Sequence, residues 1–396
     1  MNILYINEDN YGGGSSIALL YYVQAMKERG HNVFVITRDN DGFIIDELRK
    51  HNAKVFVEKF RLCYYPLTRN PYIWIKSVWE IMYRWKRLDG LISMVIVKEK
   101  IDIVHTNVGP LPYALSICQK HHVPHVWHHR EYFDKLTKRR YFPYKGDFLR
   151  RIHQCGNYNI CITRGILNYL GLDERKTNKV IFDGVFKLSE IPQIKQESKE
   201  KFILFVGAIV RNKAPHVLIQ AFAQFHKLHS EYKLLMAGKF SHSEVYYNEC
   251  NKYVDYYDLR EYVEFLGYRK DVRELMKKAK AVVVPTIFEG FGFVMVESML
   301  NKTLVIGNNT TGTKEQFDLG LKQTGDEIGL RFSNVEDLVT SLNYAVTHDT
   351  TDMCNRAYNV VCNNYTVEKC VEETERFYMY VIDDYNKNIK RKSLNI

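Results

Sequence analysis

Short apolar runs recur along the chain, each trailed by a polar turn and then by apolar residues at helical spacing. The first run is NILYI at 2–6. Residues 7–14 are turn-rich and end in Gly12, Gly13 and Gly14, Ser15 or Ser16 can cap a helix, and IALLYYVQAMKER carries that helix to a stop at Gly30. HNVFVIT is the next strand, so the first 37 residues predict a βαβ unit of the doubly wound kind. Further buried strands are expected at 55–57, 102–106, 124–129 and 158–163, and KVIFDGV at 179–185 closes the series. Residues 187–201 are polar and charged and read as a linker. A second βα series follows, with strands at 202–207, 233–238, 263–267, 281–286 and 303–307, and a long charged helix over 365–390. The pattern predicts an α/β protein with two Rossmann-like, doubly wound domains facing a central cleft. The expected division is 1–187, 188–372, and a closing helix and tail at 373–396 that turns back toward the N-terminal domain. Ligands of such sheets bind at the carboxyl ends of the strands.

Composition narrows the class. Hydrophobic residues at 46% with charged residues at 26% exclude a disordered chain. MNILYI is followed at once by NEDN, which is unlike an export signal, and no run approaches the roughly 20 apolar residues of a spanning helix. A cytoplasmic protein, at most peripheral on the inner face of a membrane, is expected. The eight cysteines contain no CxxC pair and match no zinc spacing, so reduced thiols are expected. A formal charge of +10 points to phosphate-bearing partners: nucleic acid, anionic lipid or a nucleotide-linked substrate.

Motifs choose among these. In AVVVPTIFEGFGFVMVESMLNKTLVIG a buried strand runs into a loop holding Glu289, Gly290, Phe291 and Gly292, and a helix then places Glu297 within its first two turns. Glycines let a backbone approach a ligand closely, a helix start offers free N–H groups to a diphosphate, and two carboxylates can each accept a pair of sugar hydroxyls. This segment resembles the E-x7-E motif of the retaining glycosyltransferases of family GT4, which have the GT-B fold. The resemblance implies that Glu289 meets the donor sugar and Glu297 the ribose. FVGAIVRNKAPHVLIQAF resembles the family's diphosphate-gripping segment: Gly207 and Lys213 match, while Ala208 stands where Arg is frequent and Ala214 where Gly is. Arg211 could supply the missing guanidinium. Thr311, Gly312 and Thr313 resemble the next phosphate loop and could offer backbone N–H groups, with Glu315 capping, and Tyr268 and Arg269 fall where the base is held.

In the first half the resemblance puts Gly12, Gly13 and Gly14 near donor phosphates and acceptor, and His105, in DIVHTN, near the cleft. PHVWHHREYF resembles the strand end at which the family carries a His and then an acid. The count puts these at Arg130 and Glu131, with His128 and His129 just before. His129, Arg130, Glu289 and Lys213 are the expected catalytic residues, His105, His128 and Glu131 the acceptor side. Asp183, in place of the family's Asn, reads as structural. Asp39-Asn40-Asp41 is a formal D-x-D, but it sits in an ordinary turn, and basic groups can neutralise a diphosphate, so neither metal nor cofactor is expected. Residues 60–90 and 135–145 mix aromatic with cationic side chains, which suits an anionic membrane surface. The resemblance implies retaining transfer of a hexosyl unit from a UDP- or GDP-sugar to a saccharide, here lipid-linked, in cell-surface polysaccharide synthesis. Two rivals remain at this point. An NAD-dependent oxidoreductase would use the first βαβ unit, whose third fingerprint glycine is replaced by Ile17. A basic nucleic-acid-binding protein would need a module that is not recognisable here.

Overall fold

The computed structural model describes all residues except 9–12, 108, 112, 137–138, 155, 192–197, 241–243 and 395–396; Gly12 and Cys155 thus lie outside the described residues. The chain divides into two compact units, Met1–Gly184 with Val367–Ile396, and Val185–Thr366. The boundary expected at 187/188 falls at 184/185. The closing helix joins the first unit from Val367, six residues before the expected 373.

The first unit holds β1 (Asn2–Asn7), β2 (Asn32–Thr37), β3 (Lys54–Val57), β4 (Tyr64–Pro66), β5 (Ile103–Thr106), β6 (His125–His129), β7 (Arg139–Tyr141), β8 (Asn157–Cys161) and β9 (Asn178–Val180). Its helices are α1 (Gly14–Glu28), α2 (Phe43–Lys50), α3 (Pro71–Glu99), α4 (Tyr113–Lys120), α5 (Phe133–Leu136), α6 (Lys145–Ile152) and α7 (Arg164–Tyr169). Seven strands make a parallel sheet in the order β3-β2-β1-β5-β6-β8-β9, so the winding reverses beside β1. The first strands are apolar on both faces because helices cover both, as parallel sheets require. Ile3 and Tyr5 pack under α1. Leu4 and Ile6 pack with Ile81, Leu88, Ile92 and Val95 of α3.

Helix α3 is out of proportion to its sheet. Its 29 residues extend about 43 Å, against about 20 Å for the six-residue β1. Asn70 caps it, accepting from the Tyr72 and Ile73 amides, and Pro71 starts it. Its buried stripe begins at Ser77, and residues 71–76 are exposed on every side. β4 and β7 pair with each other, apart from the main sheet, with Tyr65 opposite Arg140.

The second unit holds β10 (Phe202–Val206), β11 (Lys233–Ala237), β12 (Val263–Gly267), β13 (Ala281–Val284), β14 (Leu304–Asn308) and β15 (Leu330–Phe332). Between and after them come α8 (Pro215–His226), α9 (Val245–Tyr256), α10 (Val272–Lys278), α11 (Phe293–Leu300), α12 (Thr311–Thr324), α13 (Val335–Thr347) and α14 (Thr351–Asn364). The parallel order is β12-β11-β10-β13-β14-β15, so this sheet reverses between β10 and β13. The last helix, α15 (Val367–Leu394), packs on α1 in the first unit through Val371, Phe377, Tyr378 and Val381. Where the chain enters and leaves the second unit its two ends run side by side: the Val185 amide donates to the Tyr365 carbonyl at 2.9 Å, and Phe186 bridges Thr366.

Candidate active site

The carboxyl edge of the second sheet is built from backbone in close contact. β10 is followed by Gly207 at φ +150°, whose N–H donates to the Ala237 carbonyl at 2.9 Å. Beside it, a Cβ on Gly238 would come within 1.8 Å of the Gly207 oxygen, so only glycine fits there. A short 3₁₀ turn at Arg211–Lys213 leads to Ala214, held left-handed at φ +47°, and Pro215 then opens α8. A left-handed alanine costs about 1 kcal/mol, which is the physical reason a glycine is the better residue at this position.

Asn212 fastens this turn to the loop after β13. Its side-chain nitrogen donates to the Phe288 carbonyl at 3.0 Å, its oxygen accepts from the Phe288 amide at 3.1 Å, and its carbonyl accepts from the Ile287 amide at 2.9 Å. The clamp sets Lys213 against Glu289, with Nζ 2.7 Å from Oε2. The Lys213 side chain stays 30% exposed and that of Glu289 15%, so a ligand can reach the pair. Glu289 is held from behind: its amide donates to the Thr311 hydroxyl at 2.9 Å, and its carbonyl accepts from the Gly312 amide at 3.0 Å. Thr311 adopts φ +47°, which is costly for a β-branched residue and of the kind found where a site over-determines its backbone. Gly292, at φ +100°, starts α11, and Gln316 donates to the Phe291 carbonyl beneath it. One turn further on, the half-buried Glu297 carboxylate has no hydrogen-bond partner among the described residues; burial raises its pKa, and Arg273 opposes the rise.

Several expected donor residues are committed elsewhere. Phe291 is 2% exposed and packs edge-on against Tyr365 and Phe293, so it is core. The Gly312 amide is engaged by Glu289, and the buried Thr313 packs where a Cβ on Gly307 would go. Arg211 lies over the Tyr246 ring and pairs with Glu249 on α9 at 2.6 Å. Arg269 pairs with Asp271, and exposed Tyr268 lies under Lys239. Sequence reasoning missed Asn212, Gly238 and Gln316, which make no recognisable motif.

In the first unit the strand alternation of HVWHH separates the histidines. His125, Trp127 and His129 share one face. There His125 joins Thr106 and Asn157, His129 joins Asn159 at 2.9 Å and stacks on Trp127, and Asn159 reaches Asn178. Burial pushes the His125 and His129 pKa values down to about 4. His129, expected as catalytic, is 2% exposed, with Nε2 held by Asn159 in the interior of the sheet. The opposite face carries His128 and His105.

Arg130, just past β6, is 5% exposed, and every polar contact it makes is internal. Its guanidinium pairs with Asp183 and donates through Nε to Asn107 at 3.2 Å. Asn107 in turn donates to Asn7 at 3.0 Å and to the Ser15 carbonyl at 3.1 Å, in the first turn of α1. Arg130 Nη2 also donates to His128 Nδ1 at 3.3 Å, His105 Nε2 lies 3.2 Å from that nitrogen, and His105 Nδ1 hydrogen-bonds the hydroxyl of Tyr378 on α15. Burial, with the Arg130 charge adding, holds His105 and His128 well below the ordinary histidine pKa, so both are neutral. The Arg130 group is thus a buried fastener of α1. Asp183, read as structural, is its counter-ion. Gly13 and Gly14 are exposed at the start of α1, the Gly13 carbonyl accepting from the Ser16 and Ile17 amides, and Glu131 is exposed. Asp39 of the D-x-D pairs with Arg38.

The comparisons with known proteins agree on a family. Residues 187–359 match the model "Glycosyl transferases group 1", and residues 12–179 match "Glycosyltransferase Family 4". An uncharacterized glycosyltransferase of Methanocaldococcus jannaschii is 34% identical over 160 residues, which is 39% of this chain and 41% of that protein. An N-acetylgalactosaminyltransferase of Campylobacter jejuni, named for a diphospho-undecaprenol-linked acceptor, is 30% identical over 133 residues, 33% of each chain. The aligned part is thus well under half of these relatives. The likeness in fold is wider: a glycosyltransferase from Rickettsia africae matches at a TM-score of 0.76 and 18% identity, covering 96% of this chain and 98% of its own. The Anabaena protein HepE, solved with UDP, matches at 0.71 and 19%, covering 95% and 99%.

Proposed function

The chain belongs to the group 1 glycosyltransferases and has the GT-B fold, and from that premise we propose that it is a retaining glycosyltransferase. It moves a hexosyl unit from a UDP- or GDP-sugar to a saccharide acceptor carried on a lipid diphosphate, in the assembly of a cell-surface polysaccharide. The observation that carries this reading is the partly exposed Lys213–Glu289 pair at the reversal point of the second sheet, with the Glu297 carboxylate, without a hydrogen-bond partner among the described residues, on the helix behind it. HepE with UDP and the undecaprenol-linked acceptors named for the Campylobacter proteins support the donor and acceptor classes.

The chemistry follows from what those groups can do. A donor diphosphate competes with Glu289 for the Lys213 ammonium, which frees the carboxylate to accept sugar hydroxyls. Glu297 accepts the ribose hydroxyls. As the bond from the anomeric carbon to the β-phosphate oxygen breaks, Lys213 stabilises the departing negative charge, usually the largest single term in such catalysis. The acceptor oxygen bonds the same face of that carbon, and its proton passes to the leaving phosphate. The scheme calls on no resident metal.

The test is a panel of UDP-, GDP- and TDP-sugars with a polyprenyl-diphosphate saccharide, with and without EDTA. A new α-linkage from one α-linked donor, unaffected by EDTA and lost in Lys213→Ala, is expected. Transfer with inversion, or stabilisation of the protein by NAD or duplex DNA and by none of the nucleoside diphosphates, overturns the reading.

A further inference from the structure

The segments 60–90 and 135–145 are far apart in sequence, and the structure makes them one surface. β4 pairs with β7, setting Tyr64 opposite Tyr141 and Tyr65 opposite Arg140. Tyr65 also meets Trp74 of α3 edge-on, with ring centroids 6.2 Å apart. This ribbon is fixed to the loop leaving β5, through Cys63 N–H to the Pro110 carbonyl at 2.7 Å. It therefore sits at the carboxyl edge of the first sheet, where the overhanging start of α3 also lies.

The outward face of α3 is not the polar face of an ordinary surface helix. At 3.6 residues per turn, Tyr72, Ile75, Trp79, Met82 and Tyr83 fall within an arc of about 100°, opposite the buried stripe of Ser77, Ile81, Leu88 and Ile92. All five are exposed, Trp79 by 63% and Tyr72 by 71%. Trp79 and Tyr83 stack on each other at 5.3 Å, and both rings stay more than half exposed. Contiguous exposed apolar area of this kind marks an interaction site.

Charge says which partner. Lys76 and Lys86 interleave with the apolar stripe, Arg140 stands on the adjoining ribbon, and none of the three has an ion pair among the described residues. The acid of the exposed half of α3, Glu80, is spent on Arg61. A second copy of the chain would set these cations against themselves, whereas an anionic bilayer satisfies aromatic, aliphatic and cationic groups together. No helix among the described residues is long and apolar enough to cross a membrane. We propose that the start of α3 and the β4–β7 ribbon form a monotopic docking face, which lays Tyr72, Ile75, Trp79 and Tyr83 into the headgroup layer of an anionic membrane. The proposal does not rest on the transferase reading.

The experiment uses the full chain and vesicles of phosphatidylcholine with and without phosphatidylglycerol. Sedimentation with the anionic vesicles only, weakening as salt is raised, is expected, together with a blue shift of tryptophan emission. Trp79→Ser with Tyr83→Ser, and separately Lys76→Glu with Lys86→Glu, should each weaken binding at least tenfold and leave the melting temperature unchanged, because these side chains are exposed. Wild-type protein left in the supernatant at low salt overturns the proposal. So does unchanged binding by both double variants, or a dimer in sedimentation velocity that Trp79→Ser with Tyr83→Ser converts to monomer, which would make the face a self-interface. Retained sugar transfer to a water-soluble acceptor by the non-binding variants would separate docking from catalysis.

Discussion

The reversal points of the two sheets are built in opposite ways. Beside β1 and β5 the space is filled by side chains that hold one another: Arg130 and Asp183 with Asn107, and through His128 and His105 to Tyr378. Between β10 and β13 the walls are backbone, Gly207 against Gly238 and Gly312 against Glu289, and the charged pair stays within reach of solvent. A buried ion pair cannot exchange its partner for a ligand without leaving a charge uncompensated. A half-exposed one can. The contrast gives the first set of charges an architectural place and leaves the second, under the proposed function, open to ligand exchange.

Removing a charge should test that contrast most severely. Asp183→Ala leaves Arg130 buried and unpaired, with an expected loss of about 3–5 kcal/mol. For a unit of this size that lowers the first unit's melting temperature by roughly 10 °C. Arg130→Met combined with Asp183→Leu should recover most of the loss in calorimetry, and a double variant as unstable as the single would refute the architectural role. Lys213→Ala should behave the other way: turnover falling about 10²- to 10³-fold, as when one electrostatic stabiliser is removed, with folding stability changed by less than about 1 kcal/mol. Equal damage to stability at both sites would erase the distinction.

Acid sharpens it further. His105, His125, His128 and His129 are buried neutral, with pKa values lowered by desolvation, to about 4 for His125 and His129. The unfolded chain takes up their protons near the ordinary histidine pKa of 6.5 and the folded unit does not. Their contribution is therefore present above pH 6.5 and is lost as the pH falls toward 4. The second unit's His216 and His226 are only half-buried. The first unit's calorimetric transition should thus move down first in that window, and parallel movement of both would count against the buried-histidine account. The smallest effect expected is a gain: Ala214→Gly, relieving a left-handed alanine, should stabilise the second unit by no more than about 0.5 kcal/mol after the flexibility glycine adds to the unfolded chain.

What could be read from the sequence follows the same division. Gly207 with Lys213, and Glu289 with Glu297, each sit in a local pattern in which strand, loop and helix follow one another within a few residues, so each motif is legible, while the Lys213–Glu289 contact across 76 residues is not. Arg130 and Asp183 are 53 residues apart, and no periodicity joins them. His128 and His129 were separable by strand alternation, but alternation does not say which face holds Trp127 and which faces α1. Gly238 is obligatory because of a backbone oxygen on another strand, and no local signal marks that. The β4–β7 ribbon pairs three-residue strands, one of them ending in proline, too short to show a period of two.

The return of α15 to the first unit bears on how the protein is made. The core under α1 includes Val367, Cys370, Val371, Phe377, Tyr378 and Val381, all beyond the second unit's last residue. A ribosome releases the second unit complete at Thr366, while the first, begun earlier, still waits for its closing helix. The half of the protein that is translated first is thus finished last, and until then its sheet exposes to chaperones and proteases the face that α15 will cover.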